Sequence, residues 1–114
     1  MQLTHTIVAI ATDDALLRSL AFALGVEGYK VKPFDSWQSA LDQMETSICV
    51  IVDVDICRKD ADARKSLLDP ESRIVLLTDG MPAPTLSRNV QVISKPLEGS
   101  DIVDGVNHFR LVRT

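Results

Sequence analysis

The sequence predicts an α/β fold in which a doubly wound parallel sheet carries helices on both faces, and three observations point to it. Cys49–Val52, Ile74–Leu77 and Val90–Ser94 are short apolar runs, as fully buried parallel strands are, without the alternation of a half-exposed sheet. Stretches with helical spacing separate most of the strand-like runs, and alternating strands and helices build a parallel sheet covered on both sides. Each of the three apolar runs also ends in one reactive polar residue: Asp53, Thr78 and Lys95. Open α/β sheets bind ligands outside the carboxyl ends of their strands. An Asp, a Thr and a Lys, one per strand, are therefore expected to converge on one site. A carboxylate, a hydroxyl and an ammonium in one cleft suit the handling of a phosphoryl group.

The elements follow in order. Thr6–Ile10 reads as the first strand. Asp14–Val26 reads as a helix with Leu16, Leu17, Leu20 and Leu24 on one stripe, capped by Asp13 or Asp14 and stopped at Gly28 in a left-handed conformation. Lys30–Phe34 is a more polar strand containing Pro33, which suits a sheet edge. Ser36 caps a second helix to about Met44 that buries Ala40, Leu41 and Met44. Ile48–Asp53 is the third strand, Asp60–Leu68 a short third helix stopped by Asp69-Pro70, and Arg73–Thr78 the fourth strand. The connection 79–89 holds Pro82 and Pro84, which leave room for at most one helical turn. Val90–Ser94 is the fifth strand. Ser100 caps a last helix with Asp101 in its first turn, carrying Ile102, Val103, Val106, Phe109 and Leu111.

The chain of 114 residues is expected to form one domain, residues 1–114. Hydrophobic residues make up 46%, enough for a core, which argues against disorder. A net charge of −4 without a basic block argues against direct nucleic-acid binding, which needs clustered Lys and Arg. No apolar run reaches the length of a membrane span and the N-terminus lacks a signal-peptide pattern, so a cytoplasmic location is expected. Cys49 and Cys57 lie in or beside a buried strand and are expected to be reduced thiols, without zinc-site spacing. His5 and His108 read as unpaired surface residues, Trp37 as a packing residue, and the segment with Met81, Pro82 and Pro84 as an ordinary surface connection, with an exposed contact loop as the alternative.

Taken together, Val50-Ile51-Val52-Asp53, Leu76-Leu77-Thr78 and Ser94-Lys95-Pro96 resemble the receiver domains of response regulators, the phospho-acceptor modules of two-component signalling. Ser19-Leu20-Ala21-Phe22 followed by Gly28-Tyr29-Lys30-Val31 is similar to the receivers of nitrogen-fixation-type transcriptional regulators. The resemblance covers nearly the whole chain. It implies a flavodoxin-like sheet of five strands in the order 2-1-3-4-5. It also implies that Asp53 is the phosphorylated carboxylate, that Thr78 hydrogen-bonds a phosphoryl oxygen, and that Lys95 pairs with the phosphate and precedes a cis bond to Pro96. Magnesium would be held by Asp53, the backbone carbonyl of Asp55 and an acid near the first strand, with Asp13 the candidate. A carboxylate is a weak nucleophile and needs such charge neutralisation, and magnesium takes oxygen ligands.

The sequence also departs from the family. An acidic pair normally ends the first strand, and the ungapped register puts Ala11 and Thr12 there. The alternative register makes Asp13 and Asp14 the pair, at the cost of turning the helical stripe by about 200° unless the loop before it absorbs the slip. Asp13 thus remains open between capping the helix and reaching a metal from the loop, directly or through water. Asp79 follows Thr78 where a small residue is usual, and would repel a phosphoryl donor or substitute as a metal ligand. Cys57 and Ala61 replace a Pro and a Gly in the loop after Asp53, Val92 sits where a switch aromatic is common, and the helix before the fifth strand is short or missing. Two functions are carried forward. One is a receiver that accepts a phosphoryl group from a sensor histidine kinase or phosphotransfer protein on Asp53 and signals through protein contacts to an unidentified partner. The alternative is a pseudo-receiver acting as a phosphorylation-independent interaction or dimerisation module. A flavodoxin-like enzyme ranks below both, because no Gly-rich loop follows the first strand.

Overall fold

Alternation of buried side chains along three central strands builds two cores, one on each face of a single sheet. The structure, a computed structural model, describes residues 5–79, 90–95 and 98–112, with side chains to Phe109. Its elements are β1 (Thr6–Ile10), α1 (Asp14–Val26), β2 (Lys30–Phe34), α2 (Trp37–Met44), β3 (Val50–Asp53), α3 (Val54–Lys59), α4 (Ala61–Ser66), β4 (Ile74–Thr78), β5 (Val90–Ser94) and α5 (Gly99–Val112). The sheet order is β2-β1-β3-β4-β5, and every pairing is parallel. This is the doubly wound, flavodoxin-like order that the sequence predicts. Val8, Ile10, Val50, Val52, Ile74 and Leu76 face the α2–α4 side. Ile7, Ala9, Ile51, Val75 and Leu77 face α1 and α5. In a strand, successive side chains point to opposite faces, so an unbroken apolar run supplies both cores at once.

Helix boundaries follow from local chemistry. The Asp13 carboxylate accepts hydrogen bonds from the amides of Ala15 and Leu16 at 3.0 and 3.3 Å, which settles the cap of α1. Asp14 sits in the first turn and pairs with Arg18. At the other end the Tyr29 amide donates to the Leu24 carbonyl and the Gly28 amide to that of Gly25, with Gly28 at φ 91°. This is a Schellman stop, and only glycine adopts that φ without cost. Leu20 and Leu24 are buried, and Leu16 and Leu17 pack partly against the same core.

Several sequence expectations need correction. Leu41 is exposed; Trp37 and Ala40 are the buried residues of α2. The segment after β3 is helical at once: Asp53 accepts from the Asp55 amide and caps α3, and Asp60, in extended conformation, ends α3 and caps α4. The expected single helix from Asp60 to Leu68 is thus the second of two short helices, because a capping Asp stands before each. Arg64 donates to the carbonyls of Cys57 and Arg58, which satisfies the orphan groups at the end of α3. β5 is not fully buried: Val92 is exposed and Ile93 only partly covered, because β5 is the last strand of the sheet. α5 begins at Gly99, so Ser100 lies inside the helix rather than at its cap. The 80–89 connection with its expected loss of a helix, the Lys95–Pro96 bond and the Leu111 side chain lie outside the described residues.

Candidate functional site

The parallel register brings the polar ends of three strands level. Asp53 pairs across to Leu77, next to Thr78, and Thr78 pairs across to Ser94. The Lys95 amide donates to the Thr78 carbonyl at 2.8 Å, which carries the ladder one residue past β5 and turns Lys95 back over the strand ends. Asp53 and Thr78 are each 4% exposed. The Lys95 ammonium donates to Asp53 Oδ2 at 2.6 Å, and the other carboxylate oxygen takes the Asp55 amide at 3.1 Å. The Thr78 and Ser94 hydroxyls are hydrogen-bonded to each other at 3.3 Å. The strand ends therefore set Asp53, Thr78 and Lys95 side by side, with a direct side-chain contact between Asp53 and Lys95. Ser94 is a neighbour that sequence reasoning passed over. Its signal was available, since it precedes Lys95 and ends its strand in register with Thr78.

The β1 side of the pocket is built differently. Ala11, directly after β1, is 1% exposed, and its amide donates to the Phe34 carbonyl. Thr12 is exposed. Asp13 is engaged at the helix cap. A divalent cation there would need carboxylate or carbonyl oxygens; Asp13 spends its Oδ1 on the α1 amides, and Ala11 and Thr12 bring no carboxylate. Asp55 lies in the first turn of α3, where carbonyls run along the helix axis. Its side chain accepts from Arg58 Nη1 at 2.8 Å. Asp79 accepts from Nη1 at 3.0 Å and from Nη2 at 3.3 Å of the same guanidinium. No group of three or more His, Cys, Asp or Glu side chains is placed to hold a metal among the described residues. The donor set at this pocket does not fit the magnesium ion that the resemblance implies. Arg58 went unnoticed in the sequence. The available signal was its spacing, three residues after Asp55 on what proves to be a helix.

Burial and charge shape the remaining titratable groups. The carboxylates of Asp79 and Asp55 hold the Arg58 guanidinium above its ordinary value. Cys57, 3% exposed on α3, has its thiol pushed up to about 11, first by burial and second by the negative charge of Asp53. Burial pushes Cys49 up to about 12. Both cysteines are free and buried, as expected.

No family model matches the chain. It is 37% identical over 103 residues to the transcriptional regulator protein FixT of Rhizobium meliloti (strain 1021), covering 90% of each chain. Among solved structures it is similar to a response regulator receiver protein from Sinorhizobium medicae WSM419 at TM-score 0.68 and 17% identity, covering 97% of this chain and 98% of that one. It is also similar to the beryllofluoride-activated NtrC4 receiver domain dimer, at TM-score 0.72 and 13% identity over 97% and 100% of the two chains. A receiver domain protein of Bacillus halodurans C-125 gives TM-score 0.66 at 15% identity over 95% and 97%.

Proposed function

The chain belongs to the response-regulator receiver family, and we propose that within it this protein regulates a two-component pathway through protein contacts that need neither a phosphoryl group on Asp53 nor a bound metal. One observation carries the reading. The β1 side of the pocket presents buried Ala11 where the family's acidic pair is expected, while Asp13 caps α1 and Asp55 and Asp79 are tied to Arg58. Phosphoryl transfer to a carboxylate needs charge neutralisation on the attacked group and the donor, and on this side no free ligand set supplies it.

The partner is a sensor histidine kinase or phosphotransfer protein, in keeping with the regulatory name of the FixT relative. An exposed apolar pair suits such a contact: Phe22 is 77% and Val26 70% exposed, one turn apart on α1. Contiguous exposed apolar surface marks protein contact sites. The Asp53–Lys95 ion pair then acts as a fixed cross-link between β3 and β5 that keeps one pocket conformation.

A second reading is favoured by the other half of the pocket. Asp53, Thr78 and Lys95 lie together, with the ammonium 2.6 Å from the carboxylate, which suits a phospho-acceptor. In that reading an Asp53 oxygen attacks the phosphorus of a phosphohistidine, the P–N bond breaks, and the imidazole leaves. Incubation with acetyl phosphate and magnesium, followed by intact-mass measurement, separates the two. The unmodified mass is expected. A phosphoryl adduct that disappears in Asp53→Asn would overturn the first reading and establish the second.

A further inference from the structure

We propose that the Arg58 guanidinium stands in for the divalent cation, neutralising the acidic mouth of the pocket and excluding a metal from it. Three carboxylates, Asp53, Asp55 and Asp79, end or follow the two central strands β3 and β4. Lys95 neutralises one of them, Asp53, from the β5 side. The other two send an oxygen each to a single nitrogen, Arg58 Nη1, at 2.8 and 3.0 Å, and the second Asp79 oxygen reaches Nη2 at 3.3 Å. Two carboxylates from different parts of the chain converging on one guanidinium, whose charge is delocalised over its nitrogens, resembles the way a hard cation gathers oxygen ligands. Here a fixed side chain does so.

Position and protonation both suit the role. Arg58 is held by a short helix whose Ile56 and Cys57 are buried and whose last carbonyls are satisfied by Arg64. The guanidinium is therefore presented from an anchored backbone, although its side chain is 46% exposed. A guanidinium stays charged at every physiological pH. Unlike a metal it cannot be removed by chelation or diluted away. It also ties the start of α3 to the residue after Thr78, spanning the mouth between β3 and β4 without help from the β1 side. That explains how the pocket tolerates Ala11: the negative charge that the missing acidic pair would have added is not there to be balanced, and the charge that remains is already paired.

Manganese binding to the intact protein, read by electron paramagnetic resonance, tests this without a kinase or a phosphodonor. This role for Arg58 shares with the proposed function the engagement of Asp55 and Asp79 by Arg58, and because the intact-mass test reads phosphorylation while this one reads metal binding, the two failures are distinguishable. Wild type is expected to show no saturable site at low millimolar manganese. Arg58→Gln withdraws the cation from both carboxylates and is expected to bind at least about tenfold more tightly, and adding Asp79→Asn should remove the gain. Arg58→Lys, which keeps the charge, should behave as wild type. Lys59→Gln should too, since it changes the net charge equally on the same helix. The proposal is overturned if wild type binds manganese as tightly as Arg58→Gln. It is overturned equally if Arg58→Gln gains nothing, or if Lys59→Gln gains as much. The Arg58 side chain is 46% exposed, so folded protein is expected for all variants, and Arg58→Met provides a second neutral side chain for the same comparison.

Discussion

The two halves of the pocket at the carboxyl end of the sheet were built by different means. On the β3–β4–β5 side, strand register aligns Asp53, Thr78, Ser94 and Lys95, and their polar atoms meet in two pairs, Asp53 with Lys95 and Thr78 with Ser94. On the β1 side the acids stand in the loop beyond the strand, and local backbone needs claim them: Asp13 goes to two helix amides, and the position at the strand end is a buried alanine. Residues within a ladder have their direction fixed by pairing across the sheet. Residues one or two positions past it are free to serve a helix N-terminus, whose unsatisfied amides attract any nearby Asp. Two residues of displacement past a strand end therefore separate the family's ligand position from a helix cap.

The largest expected effect comes from forcing the β1 side to resemble its counterpart. Ala11→Asp places a carboxylate at a position 1% exposed and should destabilise the fold by about 3 kcal/mol, measured by urea unfolding at neutral pH. Millimolar magnesium should not restore the loss while Arg58 is present. Full restoration would mean that a single carboxylate separates this pocket from a metal-binding one. Removing the cation on the assembled side comes next. Lys95→Met leaves the Asp53 carboxylate, 6% exposed as a side chain, without its partner. A fully buried pair would lose more, but Lys95 is 32% exposed, so the expected cost is about 2 kcal/mol. An unchanged unfolding midpoint would show that the ion pair is decorative. Asp13→Ala should cost about 1 kcal/mol as a lost cap, and the loss should be insensitive to magnesium. A magnesium-dependent difference between this variant and wild type would return Asp13 to the metal.

Legibility in the sequence followed the same division. The strands, the α1 stripe and the strand-end trio were readable because burial period and strand-end position are local properties of the chain; the strand order came with the family resemblance. The cap of α1 was readable only as a choice between Asp13 and Asp14, since both precede the stripe and either satisfies the helix start. α3 was missed because Val54-Asp55-Ile56-Cys57-Arg58-Lys59 has no stripe long enough to show a period. Its existence depends on Asp53 serving as a cap as well as a pocket carboxylate. Arg58 was readable only in part: its spacing three residues after Asp55 is visible, but Asp79 joins the pair only when α3 is helical and β4 ends at Thr78. Leu41 and Val92 were read as more interior than they are, because apolar identity does not say which elements cover a face.

The smallest expected effect uses Cys57 as a gauge of the charge on Asp53. The free thiol of an unfolded chain titrates near 9.0, and in the folded protein Cys57 is pushed up to about 11, by burial first and by Asp53 second. Between those values the unfolded chain has released a proton that the folded chain still holds. The contribution of Cys57 to stability is therefore constant below about pH 9 and falls as pH rises toward 11. Asp53→Asn removes the second cause and keeps the first. In a Cys49→Ala background, where Cys57 is the remaining thiol, the thiolate absorbance should appear at lower pH in Asp53→Asn than in its parent, yet still above 9.0. The alkaline loss of stability should be correspondingly shallower. Asp13→Ala should leave the thiol where it was, since Asp13 is not among the charges that shift it. An unmoved midpoint in Asp53→Asn would mean that Lys95 cancels the Asp53 charge so fully that α3 does not sense it. The pocket would then have no electrostatic means of telling α3 whether Asp53 carries one negative charge or, once phosphorylated, more.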